Sequence, residues 1–223
     1  MVEDKKTTKA KKTTAKKTTA KKPTAKKPAK KVEKTPAVID VPRVKKIYID
    51  DVVPILKKEF GYKNPMQVPT IKKIVVNIGI GEALDSNSAL NAANNDLMKI
   101  TGQKPKQNRA KVSIANFKLR EGSVIGTSVT LRGKRMWQFY DRLVNIALPR
   151  IKDFKGLKDS SCDKYGNFSF GIKEHIIFPE VNFDRADKVR GLDIVIVISS
   201  KNKEHSFALL KKLNFPFIKK GDN

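Results

Sequence analysis

Gly79-Ile80-Gly81-Glu82-Ala83-Leu84 comes nearest to a cofactor motif. A dinucleotide-binding turn sets glycines between strand and helix so that a pyrophosphate can approach the backbone N–H groups, and it needs a third small residue where Leu84 stands. That residue is missing and no parallel strand–helix–strand spacing follows, so the segment reads as a tight glycine turn and no cofactor is expected. Nucleophilic catalysis has no G-x-S-x-G elbow to work from. His175 lies in the apolar run His175-Ile176-Ile177-Phe178, which predicts a hydrogen-bonded structural imidazole. Cys162, the only cysteine, reads as an inert thiol; it leaves no partner for an intrachain disulfide or a multi-cysteine zinc site. His175 and His205 stand far apart in the chain, and Asp184, Asp187, Arg185 and Lys188 read as a solvated ion-pair surface. No catalytic and no metal-ligating set is expected, so the chain is not read as an enzyme.

Binding chemistry is better supplied. Lys104, Lys106, Arg109, Lys111, Lys118 and Arg120 give six positive charges with no acid until Glu121. Ser113, Ala115 and Asn116 lie between them, with Phe117 as the one aromatic. The segment reads as structureless and basic, suited to phosphate contact, with Phe117 able to stack on a base or sugar. Further on, Ser128, Thr130 and Arg132 share one face of a strand by its two-residue period. Polar residues in place of Val and Ile make a poor core and a workable platform for RNA hydroxyls and phosphates. Asn77 interrupts an otherwise apolar strand in the same way.

The charge balance points in the same direction. Among 223 residues, 48 are Lys or Arg and 22 are Asp or Glu, a net of +26. Residues 1–40 hold fourteen Lys and four acids, which is +10; the other 183 residues carry the remaining +16. A chain this cationic repels itself unless it meets a polyanion, either nucleic acid or an anionic membrane. The longest aliphatic run, Ile194–Ile198, is far too short to span a bilayer, and the chain is read as a cytoplasmic polyanion binder with no membrane partner. The cysteine usage suits a reducing, cytoplasmic setting.

Residues 1–41 read as a disordered basic extension. KKTTA at 11–15 and 16–20 is followed by KKPTA at 21–25 and then KKPAK; a five-residue beat fits neither helix nor strand, and Pro23, Pro28 and Pro36 interrupt any helix. Its lysines can track phosphates without reading sequence. The beat also admits a second reading, a nucleoid-type DNA-binding protein working through its tail. A secretory signal is not expected, because no apolar h-region is present.

The elements that must position these residues follow from residues 42–223, read as one domain. Val44, Ile47, Tyr48, Val52, Ile55, Leu56 and Phe60 predict an amphipathic helix ending at Gly61, with Asp50 or Asp51 as an N-cap and a kink or break at Pro54. IKKIVVNIGIG (71–81) predicts a strand. A helix capped by Asp85 or Ser86 follows, through Leu90, Ala93, Leu97 and Ile100 to Gly102. VIGTSVTLRG (124–133) predicts a second strand, and Met136 to Ala147 a buried helix stopped by Pro149. NFSFGI (167–172) and LDIVIVISS (192–200) predict strands, and Asn202 caps a last helix. This order predicts an α+β fold with a largely antiparallel sheet packed by helices.

Five blocks carry a closer likeness: NPMQVPTIKKIVVNIGIGEA (64–83), TGQKPKQNRAKVSIANFKLREG (101–122), VTLRGKRMWQFYDRLVNIALPRIKDFKGL (129–157), GIKEHIIFPE (171–180) and VRGLDI (189–194). In order and with few gaps, from about Tyr48 to Lys219, they resemble the bacterial large-subunit ribosomal protein family numbered five, the 5S-rRNA-binding protein of the central protuberance. The resemblance implies an α+β domain holding 5S rRNA, with Asn77, Gln103 and, on the central strand, Thr130 and Arg132 as its rRNA-binding positions. It also implies a protruding loop, Lys111 to Ser123, whose Lys111, Ser113, Phe117, Lys118 and Arg120 reach P-site tRNA. Other implied partners are large-subunit rRNA, other central-protuberance proteins and a small-subunit head protein at an intersubunit bridge. The implied location is the large ribosomal subunit in the cytoplasm.

Overall fold

Alternation along the strands decides where the core lies. In β1 (Ile71–Gly79), Ile74, Val76 and Ile78 are fully buried, whereas Lys73, Val75 and Asn77 between them are only half-buried. The computed structural model describes residues 41–81, 87–181, 188–200 and 202–218. The expected disorder of 1–40, the Asp85 or Ser86 cap and the Asp184–Asp187 surface lie outside those residues.

β1 is the middle strand of a five-stranded sheet that also contains β2 (Lys106–Arg109), β3 (Val124–Leu131), β4 (Phe168–Ile172) and β5 (Leu192–Ile198), ordered β2-β3-β1-β5-β4. Every pairing is antiparallel. One face presents Ile74, Val76, Ile78, Val129, Leu131, Ile194, Ile196 and Phe168 to a single apolar cluster. That cluster also contains Leu97 and Ile100 of α3 (Asn87–Thr101), Phe139 and Tyr140 of α4 (Gly133–Arg142), and Leu209 and Leu210 of α5 (Lys203–Lys212). Burying aliphatic and aromatic side chains of this size stabilises a fold by roughly 1.5–3 kcal/mol each relative to exposure. The opposite face takes no part in the cluster. Val75, Val195 and Val197 stay half-buried there and outside the core. The α+β reading therefore holds, and it leaves one sheet face open.

Two departures have physical causes. The segment 104–120 is not structureless: β2 lies within it and pairs with β3 as an edge strand. KQNR contains no apolar residue to announce a strand, because three of its four side chains stay in solvent and the fourth, Asn108, is only half-buried. The first helix does not break at Pro54. α1 (Arg43–Ile47) runs with right-handed helical dihedrals through a π-helical turn at Tyr48–Val52 into α2 (Val53–Phe60). Pro54 does sit in the first turn of α2, but neither Asp50 nor Asp51 caps it. Instead, the Val53 N–H donates to the Tyr48 carbonyl, five residues back. A wider turn relieves the clash of the proline ring with the carbonyl four residues earlier. The same arrangement recurs at Leu143–Ala147, where the Leu148 N–H donates to the Leu143 carbonyl just before Pro149. At the far end, Asn202 starts α5 without a side-chain cap; its own N–H donates to Ser200 Oγ at 3.1 Å.

Candidate nucleic-acid interface

The open face carries a polar row. In register across the sheet lie Lys106, Ser128, Asn77 and Asp193, contributed by β2, β3, β1 and β5. The side chains of Ser128, Asn77 and Asp193 are joined, together with that of Asn108, by hydrogen bonds. Ser128 Oγ donates to Asn108 Oδ1 at 3.1 Å, Asn108 Nδ2 donates to Asn77 Oδ1 at 3.3 Å, and Asn77 Nδ2 donates to Asp193 Oδ2 at 3.4 Å. A carboxylate only accepts, so Asp193 sets the direction of the whole chain. Each amide keeps one further N–H, and Ser128 keeps acceptor lone pairs. The row thus offers donors to phosphate or base oxygens and an acceptor to a ribose hydroxyl.

The next position along the face is Thr130, opposite Val75 and exposed. Gln103 is brought to it from α3. Gly102, at φ +67°, ends that helix in the left-handed conformation, and its N–H donates to the Met98 carbonyl at 2.8 Å. Gln103 Nε2 then donates to the Thr130 carbonyl at 3.4 Å, while the buried Thr101 hydroxyl accepts from the Gln103 N–H at 3.4 Å. Arg132 follows β3 as the extended residue before α4, and its side chain is exposed. Asn77, Gln103, Thr130 and Arg132 therefore come to one end-to-end surface. Thr130 and Arg132 are not on the central strand, however: β1 is central, and Arg132 stands just past β3.

The loop between β2 and β3 is ordered by its own backbone. Ala110 and Ser123 close its base through Ala110 N–H to Ser123 C=O at 2.8 Å, and Ile114 and Leu119 exchange two bonds of 3.0 Å further out. A 3₁₀ turn at Ala115–Phe117 forms the tip, followed by Lys118 at φ +51°. Ser113 Oγ accepts from the Glu121 N–H at 2.9 Å, so this side chain braces the loop. Lys111, Lys118 and Arg120 are exposed, and Phe117 is 71% exposed at the tip. An aromatic ring left in water on a rigid support is suited to stacking.

Asn108 and Asp193 escape a reading of the sequence. Asp193 stands at an outward position of the alternating run LDIVIVI, but its partner emerges only from the strand register. His175 is structural, as expected: it is fully buried, Nδ1 accepts from the Arg190 N–H at 3.1 Å, and Nε2 faces Asp96 Oδ2 at 3.5 Å. Burial pushes its pKa down, the Asp96 carboxylate pulls it back up, and Arg190 adds to the depression. Cys162 is buried, and desolvation raises its thiol pKa. The glycines at 79 and 81 adopt no left-handed φ, so turn geometry does not require them. Among the described residues no cluster of three or more His, Cys, Asp or Glu is placed to hold a metal, and no helix is long and apolar enough to cross a membrane.

The family model described as ribosomal protein L5 matches residues 64–120, and the model of that ribosomal family's C-terminus matches residues 124–217. The large ribosomal subunit protein uL5 of Pelagibacter ubique is 60% identical over 185 residues, covering 82% of this chain and 100% of that protein. The uL5 proteins of Herpetosiphon aurantiacus and Colwellia psychrerythraea are 58% and 54% identical, over 78% of this chain and 98% and 96% of their own lengths. With both halves of its folded region matched and relatives covered almost end to end, the chain belongs to the ribosomal protein L5 family.

Proposed function

We propose that this chain, a structural, non-enzymatic constituent of the large ribosomal subunit in the cytoplasm, binds 5S rRNA through the open sheet face. The observation that carries this reading is the joined row Ser128–Asn108–Asn77–Asp193 beside Gln103, Thr130 and Arg132 on a face left uncovered by the core. Charge supplies affinity and the amides and hydroxyls supply placement. The β2–β3 loop reaches P-site tRNA, with Lys111, Lys118 and Arg120 toward the backbone and Phe117 toward a base or ribose. Large-subunit rRNA, neighbouring central-protuberance proteins and a small-subunit head protein complete the set of partners. Family membership favours this reading over a nucleoid-type DNA binder, which has only the tail behind it.

The test is direct. The native protein should sediment with large subunits and 5S rRNA, and replacing Thr130 and Arg132 together by Ala should weaken 5S rRNA binding at fixed salt. Unchanged affinity would remove these two residues from the interface, and duplex DNA competing equally with 5S rRNA would support the rival.

A further inference from the structure

Beyond the polar row, where β1 ends and β5 begins, the chain forms a cavity of about 290 Å³. One wall is the backbone of Gly79 to Gly81, fixed by the Ile80 N–H donating to the Ile125 carbonyl at 2.9 Å. The other is Lys188 to Gly191, held by paired bonds: the His175 N–H donates to the Arg190 carbonyl at 3.0 Å, and the Arg190 N–H donates to His175 Nδ1 at 3.1 Å. Among the described residues that line it, three are glycines, two are cations and none is an acid. Arg190 is only 9% exposed, and its Nη1 has no hydrogen-bond partner. That nitrogen is sealed from solvent, so an anion in the cavity would act on the Arg190 charge through its field and not by contact with Nη1. Nothing lies within 4 Å of where a Cβ would stand on Gly79 or Gly81, so the absence of side chains there does not serve internal packing. It does leave backbone open to a ligand that must come close.

We propose that this cavity is a phosphate site, and that its occupant is one backbone phosphate of the RNA lying on the open sheet face. The inference rests on the binding face argued above. The position supports it, because Gly79 and Gly191 lie two residues beyond Asn77 and before Asp193, the pair that joins β1 to β5 in the polar row. An RNA strand crossing that row therefore meets the cavity next. The glycine backbone admits a phosphate that a side chain would hold away, and Lys188 and Arg190 supply a positive field on the opposite wall.

The experiment places a charge in the cavity without disturbing the core. Gly81→Asp introduces a carboxylate into open space, and Gly81→Asn is its uncharged counterpart. Circular dichroism and thermal unfolding serve to check that both remain folded. For 5S rRNA binding by the full chain, Gly81→Asn, whose side chain crowds the phosphate, should make log K fall somewhat less steeply with log salt, and Gly81→Asp, which also repels it, should make that fall shallower by about one. Its affinity deficit relative to the unaltered protein should therefore shrink about threefold between roughly 50 and 200 mM salt. Ethylation interference on the RNA should show one phosphate that matters to the unaltered protein and no longer matters to Gly81→Asp. Equal slopes and identical interference patterns for all three proteins would overturn the proposal. So would inorganic phosphate shifting the Gly79, Gly81 and Gly191 amide resonances while bound RNA leaves them unmoved, since the cavity would then take a free anion. Absence of 5S rRNA binding by the unaltered protein would instead defeat the underlying reading of the sheet face.

Discussion

Asn77 and Asp193 face each other across β1 and β5, and the amide of one donates to the carboxylate of the other at 3.4 Å. An acid on the face proposed to meet RNA is costly electrostatically, so its presence calls for a structural reason. Its orientation of Asn77, and through Asn77 of Asn108 and Ser128, is that reason. Asp193→Ala should free the two amides to rotate and weaken 5S rRNA binding by about 1–2 kcal/mol, roughly tenfold, despite the gain in net positive charge. Tighter binding on a filter assay at fixed salt would show that charge outweighs orientation here.

The loop predicts a separable effect. Phe117→Ala, at an exposed tip, should change unfolding free energy by no more than about 0.5 kcal/mol. Shortening 112–121 should leave 5S rRNA binding intact and weaken ribosome–tRNA contact, measured by retention of P-site tRNA. Loss of 5S rRNA binding would mean that the loop helps to hold the sheet face.

What the residues announce and what they hide separate along physical lines. β1 and β5 are readable because one face is buried, which forces a period of two on Ile74, Val76 and Ile78 and on Ile194, Ile196 and Ile198. β2 is not, because an edge strand with both faces wet needs no pattern and is fixed by pairing alone. Asn77, Ser128 and Thr130 stand out as polar residues on strands, and Arg132 as a cation just past one. Gln103 comes only through the family resemblance, since its place beside Thr130 depends on how Gly102 ends α3. Asn108 and Asp193 need the register.

In the core, Phe139 is fully buried and stacks on Phe178 with ring centroids 6.0 Å apart. Phe139→Ala should destabilise the fold by about 3–5 kcal/mol, read from urea unfolding. A loss under about 1 kcal/mol would show that the cluster collapses to fill the space.

His175 makes stability depend on pH. Burial holds its pKa below the ordinary imidazole value of 6.5, with Asp96 opposing and Arg190 reinforcing the shift. The unfolded chain therefore takes up a proton before the folded one does. Stability is complete above about pH 6.5 and falls as pH drops from there through the folded-state pKa. His175→Gln should flatten this part of the curve in thermal melts across roughly pH 4.5–7.5, and an unchanged profile would assign the dependence to other groups.

The widened turns before Pro54 and Pro149 bear on how this chain can change length. In an unbroken α-helix the residue eleven places after Val44 returns to nearly the same side, which would put Ile55 in the core. Ile55 is 42% exposed, and Leu56 is the buried residue. The turn at Tyr48–Val52 thus absorbs one extra residue. Deleting a residue there restores an ordinary helix with the same buried side, but it returns the proline to a clash with the preceding turn. Replacing the proline alone leaves the surplus residue in place. Deletion should therefore be tolerated only when the proline is replaced as well, which couples residue number and proline at this point.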